Sequence, residues 1–65
     1  MSLSIRKIED SGKLIILDDS SKWEVSFVDT IDTRLWMMFD KISMKGDKMT
    51  NHSQRDKTIT VKRAR

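Results

Sequence analysis

The 65-residue chain is predicted to be all-β: one small barrel of five to six antiparallel strands, with at most one short helical turn. Three observations predict it. Short runs alternate polar and apolar with a period of two, most clearly in Lys22-Trp23-Glu24-Val25-Ser26-Phe27. Clusters of Asp, Ser, Asn and Gly separate these runs at short intervals, as turns between strands require. No apolar pattern of helical period is sustained long enough for a core helix.

The elements follow in order. Leu3-Ser4-Ile5-Arg6-Lys7-Ile8 reads as a first strand whose phase slips near Arg6-Lys7, where a bulge is expected. Ser11-Gly12 turns it into Lys13-Leu14-Ile15-Ile16-Leu17, apolar on both faces as a covered strand is. Asp18-Asp19-Ser20-Ser21 closes a hairpin onto the Lys22–Phe27 strand, which puts Trp23, Val25 and Phe27 on one face, the core face. From Val28 to Leu35 the alternation is lost, and Asp29 followed three residues later by Asp32 looks like a helix start, giving one helical turn or an ordered loop. Alternation returns in Asp40–Met44, pauses at Lys45-Gly46-Asp47, resumes in Lys48–Asn51, and after the polar loop His52–Asp56 ends with the strand Lys57–Arg63. With no proline in the chain, edge protection falls to barrel closure or to the lysines along the strands.

Composition narrows the function. The whole chain, residues 1–65, is a single domain, and one so short buries only about 60% of the surface its unfolded chain exposes. With no cysteine there is no disulfide framework, no zinc ribbon and no thiol nucleophile, so stability falls to packing and self-association. No apolar run approaches the ~20 residues of a membrane helix, so no membrane insertion is expected. Met1-Ser2-Leu3 shows neither the basic start nor the apolar core of a leader; the expectation leans to the cytoplasm and leaves the periplasm open should a leader precede it. The net charge of +3 is divided unevenly: residues 1–32 carry −3 and residues 33–65 carry +6.

Read together, Leu17-x-Asp19-Ser20-Ser21-x-Trp23-Glu24-Val25, then Trp36-x-x-Phe39-Asp40-x-Ile42-x-Met44, Met49-x-Asn51 and Ile59-x-Val61 resemble a group of small bacterial SH3-like β-barrel proteins. Their pattern runs L-x-D-G-S-x-W-E-V, W-x-x-G-D-x-V-x-V, L-x-N, then a last strand. The resemblance covers about Lys13 to Lys62. It implies an SH3-like barrel and carries no catalytic residue, because the group has no assigned activity. Ser20 and Phe39 depart from it, each standing where the pattern has glycine. A turn of another type is therefore expected at Ser20, and a different path into the strand at Phe39.

The candidate sites are weighed residue by residue. Trp23 reads as core. Trp36-Met37-Met38-Phe39 is too apolar for all its members to fit inside so small a barrel, and marks a surface for a protein partner or a second copy. Asp18 and Asp19 lack the oxygen spacing and glycine of a calcium loop and read as a turn. Asp29 and Asp32 read as helix-capping or loop residues rather than an acid and base pair. His52, the lone histidine, has no nucleophile or metal in view along the sequence. Lys41, Lys45, Lys48, Lys57, Lys62, Arg63 and Arg65 would follow a phosphate backbone if they shared one rim, which makes nucleic acid the alternative partner. No nucleotide, hydrolase or metalloprotease motif is present, so no catalysis, cofactor, metal or small-molecule substrate is expected. The expected function is a binding or assembly module.

Overall fold

A computed structural model describes residues 3–64. Six strands, β1 (Leu3–Glu9), β2 (Leu14–Leu17), β3 (Lys22–Val25), β4 (Lys41–Lys45), β5 (Lys48–Asn51) and β6 (Lys57–Ala64), form a closed antiparallel barrel in the order β1-β2-β3-β6-β5-β4. The all-β barrel expected from the alternation is the fold observed. β6, the longest strand, pairs with β5 from Lys57 (opposite Asn51) to Thr60 (opposite Lys48), then with β3 from Val61 (opposite Val25) to Ala64 (opposite Lys22). The ring closes where Leu3 and Ser4 face Ile42 and Lys41. The phase slip at Arg6 is real: the β1–β2 register shifts between Ile5 and Lys7, which keeps Ile5 inside while Arg6 and Lys7 point to water.

Inward positions from every strand build the core: Ile5, Ile15, Leu17, Val25, Ile42, Met49, Ile59 and Val61, ringed by half-buried Leu3, Ile8, Trp23 and Met44. One barrel end is closed by the β3–β4 connection, residues 26–40. It runs through a 3₁₀ turn (Phe27–Asp29) and one turn of helix, α1 (Thr30–Thr33). Two of its side chains enter the barrel. Trp36 is only 5% exposed and completes the core, and the fully buried Thr33 donates its hydroxyl to the Gly12 carbonyl at 2.7 Å.

That second contact depends on glycine. Gly12 sits at φ +94°, and a Cβ there would lie 2.6 Å from the Thr33 Oγ1 and 2.7 Å from the Arg34 nitrogen, closer than atoms pack.

Three expectations need correction. Phe27 is not core: β3 stops at Val25, Ser26 bends the backbone, and the Asp29 N–H bonds the Ser26 carbonyl, so Phe27 opens a 3₁₀ turn on the surface. Trp36 is not part of an exposed surface, because it plugs the barrel end. Asp29 makes no side-chain cap to α1; Asp32 instead pairs with Lys57 at 3.4 Å, and the Thr30 hydroxyl bonds the Phe27 carbonyl at 2.6 Å.

Trp36→Ala is expected to cost about 3–5 kcal/mol in urea unfolding, while Leu35→Ala, one residue away and exposed, stays within about 0.5 kcal/mol. Equal losses at the two positions would contradict the plug. Gly12→Ala should destabilise by more than the ~1 kcal/mol of its positive φ alone, since Thr33 and Arg34 must also move.

Candidate interaction surface

The cap is amphipathic with its apolar side outward. Thr33 and Trp36, three residues apart, face in; Phe27, Ile31 and Leu35, at spacings of four, therefore share the opposite face, with Val28 beside them. Met37, Met38 and Phe39 follow in a tight turn and also face water. All seven are between 54% and 78% exposed. A fully exposed aromatic side chain offers roughly 150–250 Å² and an aliphatic one less, so the seven together expose on the order of 700 Å² of largely apolar surface along residues 27–39. The largest apolar patch of an ordinary monomer is about 300–600 Å².

Phe39 adds a second cost. It sits at φ +73°, the left-handed region that glycine favours, as do Asp10, Ser11, Ser20, Arg55 and Asp56, and its ring is exposed. Of the four residues Trp36 to Phe39 that the sequence marks as a partner surface, three are thus presented and one is buried. Phe27, Val28, Ile31 and Leu35 belong to the same surface. Their spacing of four was a legible signal, but a single helical turn does not reveal which face points inward.

Asp40 anchors the far end of the cap. Its carboxylate accepts from the Met37 N–H at 3.0 Å, the Asn51 amide at 2.9 Å and the Gln54 amide at 3.3 Å. Burial pushes this carboxyl up, but the three hydrogen bonds outweigh it and hold it below the usual carboxylate range. Buried Asn51 passes the network on by accepting from the Ser53 N–H at 2.9 Å. Between the cap and the 52–56 loop lies a shallow groove floored by Trp36 and bordered by Leu35, Arg55 and Lys57.

The Asp18–Ser21 stretch is a hairpin turn, not an ion site. Asp19 accepts from the Ser21 N–H at 3.0 Å and the Ser21 hydroxyl at 2.5 Å, and the Ser21 oxygen accepts from the Trp23 indole at 2.9 Å. The Ser21 hydroxyl and then its N–H are what lower the Asp19 pKa. Ser20 takes φ +70°. Trp23, half-buried rather than core, lies under the Arg63 guanidinium, 5.6 Å from the ring centroid. Among the described residues no group of three or more His, Cys, Asp or Glu side chains is placed to hold a metal ion. No helix is long and apolar enough to cross a membrane.

His52 has partners that its sequence context hid. Its Nε2 lies 2.6 Å from the Ser43 hydroxyl and its Nδ1 2.7 Å from an Asp56 carboxylate oxygen, so Ser43, His52 and Asp56 form a relay on the outside of the barrel. All three side chains are exposed to solvent.

The basic residues divide. Lys41, Lys45 and Lys48 share the outer face of β4 and β5 with Ser43 and Thr50, beside Thr58 and Thr60 of β6; Lys45 stands directly opposite Lys48, the Lys48 ammonium donates to the Thr60 hydroxyl at 2.6 Å, and Lys62, further along β6, stands opposite Glu24 of β3. Lys57 lies apart, paired with Asp32 at the cap, and Arg63 is stacked on Trp23. Arg65 is outside the described residues.

Phe39→Gly is expected to raise stability by about 1 kcal/mol by relieving the strained φ, since the lost ring is exposed; a clear loss in urea unfolding would show that the ring supports the fold. Because the folded Asp40 pKa is depressed, its contribution is present above the unfolded value of about 3.9 and is lost as pH falls from there through the folded value. Asp40→Asn should accordingly flatten the acid limb of the stability profile, and an unchanged limb would rule out Asp40 as its source.

Comparisons with protein-family models, with curated proteins and with solved structures return no match, so function is read from the geometry of this chain alone.

Proposed function

We propose that this barrel is a non-catalytic binding or assembly module that docks onto protein through the outer face of its cap. The observation that carries this reading is the set of seven large apolar side chains exposed on one 13-residue segment, residues 27–39, ending in a phenylalanine held at a glycine-like φ. An arrangement that costs the isolated chain both solvation and backbone strain is what a surface kept for contact looks like. The resemblance to SH3-like barrels agrees with a non-catalytic module. The Ser43–His52–Asp56 relay does not alter the reading: a hydrolase also needs donors aimed at an oxyanion in a site shielded from water, and these three side chains lie open on a strand face.

A second reading has its own observation. Three lysines and a row of hydroxyls share the β4–β5–β6 face, and the like-charged pair Lys45 and Lys48 repels unless an anion lies between them. A phosphate backbone would satisfy it. In that case affinity for single-stranded DNA or RNA should fall steeply with salt, and removing Lys41, Lys45 or Lys48 should lower the salt slope by about one each.

The experiment that tests the first reading places a photo-reactive aromatic residue at position 35 on the cap, or at position 58 on the lysine face, of the full chain in its native cell. Discrete protein adducts are expected from position 35 and none from position 58. Adducts confined to position 58, or none at either, would overturn it.

A further inference from the structure

The cap proposal fixes a surface but not its occupant. We infer that the occupant is a second copy of this chain, in a two-fold symmetric dimer formed cap to cap; the inference rests on the docking role proposed above.

Four observations point there. The exposed apolar area, on the order of 700 Å² per chain, is close to what each partner gives to a standard protein interface, about 800 Å². It is therefore enough for a dimer without recruiting another face. The charges around it are balanced, with Asp29, Asp32 and Asp40 against Arg34, Arg55 and Lys57. A two-fold contact sets a patch against itself, so a rim of both signs is self-complementary whereas a rim of one sign would repel. This balance leaves no excess of basic charge at the cap, which an anionic lipid surface or a nucleic acid would require. The cap also carries both halves of a contact: protruding Ile31, Leu35 and Phe39, and the groove over Trp36 beside Leu35 that can receive a partner's side chain.

Size and topology add to this. A 65-residue chain without disulfides, whose apolar core comprises nine residues, gains more from covering its cap than a larger domain would. The strand order is closed, so association through side chains at a barrel end is favoured over strand addition. A cap-to-cap dimer also leaves the lysine face at the barrel wall uncovered.

Sedimentation equilibrium of the full chain, from micromolar to millimolar concentration at low and high salt, tests the inference. The expected result is reversible association to twice 7.6 kDa that persists at high salt. Ile31→Asn with Leu35→Asn should weaken it by about tenfold or more, and Lys45→Ala should leave it unchanged. Since Ile31 and Leu35 are exposed, the double variant is expected to keep the parent's circular dichroism and, at concentrations where the parent is monomeric, its urea midpoint. If it does not fold, Met37→Gln with Met38→Gln replaces it with the same expectation. A monomeric mass at every concentration overturns the second copy, as does association insensitive to both cap variants. Co-sedimentation of a monomer with phosphatidylcholine or phosphatidylglycerol vesicles assigns the cap to lipid instead. A monomer whose position-35 photoprobe captures a different protein overturns the dimer and leaves the docking role standing; a monomer that captures nothing overturns both.

Discussion

The constraint on which the rest of the structure depends is the way one short connection closes an open barrel end. Only a narrow face of a single helical turn can look inward, and that face is taken by Thr33, bonded to the Gly12 carbonyl, and by Trp36, which fills the core. With those two inside, Ile31 on the opposite side of the single helical turn faces water, and so do Phe27 in the 3₁₀ turn before it and Leu35 and Met37 to Phe39 after it. The exposed apolar surface accompanies the way the fold is capped.

Polar groups hold this geometry at both ends of the barrel. At the capped end Asp40 gathers the Met37 N–H, Asn51 and Gln54, tying the strained turn at Phe39 to β5 and to the loop that follows it. At the other end Asp19, Ser21 and Trp23 form a chain of hydrogen bonds that fixes the hairpin, while the Ser4 hydroxyl donates to Asp18 and Arg6 donates to Ser20 across from β1. Both Ser20 and Phe39 stand at positive φ, where the SH3-like pattern has glycine. This corrects the expectation of another turn type at Ser20 and another path at Phe39: both residues adopt the positive φ that glycine favours, and neighbouring hydrogen bonds offset the strain. At Ser20 the side chain gains a hydrogen bond in return. At Phe39 it gains only exposure.

How much of this was legible in the sequence depends on the range of the interactions. Strands were legible because alternation is local: Lys22 to Val25, the slip at Arg6 and the pause at Gly46 each appear in a few adjacent residues. The outward direction of Lys41, Lys45, Lys48 and Lys62 follows from the same alternation. What stayed hidden is set by contacts between distant segments. The choice of Trp36 rather than its neighbours as the plug depends on Thr33 meeting Gly12, 21 residues away. Lys57 leaves the basic set because Asp32 lies beside it, and His52 finds Ser43 on the adjoining strand. The position of Phe27 is not legible because alternation does not signal where a strand stops; the 3₁₀ turn closed by the Asp29 N–H on the Ser26 carbonyl does that.

Whether a second copy covers the outer face of the cap is tested most directly by methyl-resolved NMR with a soluble paramagnetic agent, comparing dilute and concentrated protein. The Ile31, Leu35, Met37 and Met38 methyl signals should be strongly broadened when dilute and protected when concentrated, while the exposed Thr58 and Thr60 methyls stay equally broadened throughout. Cap methyls that remain fully accessible at the highest concentration would contradict the second copy.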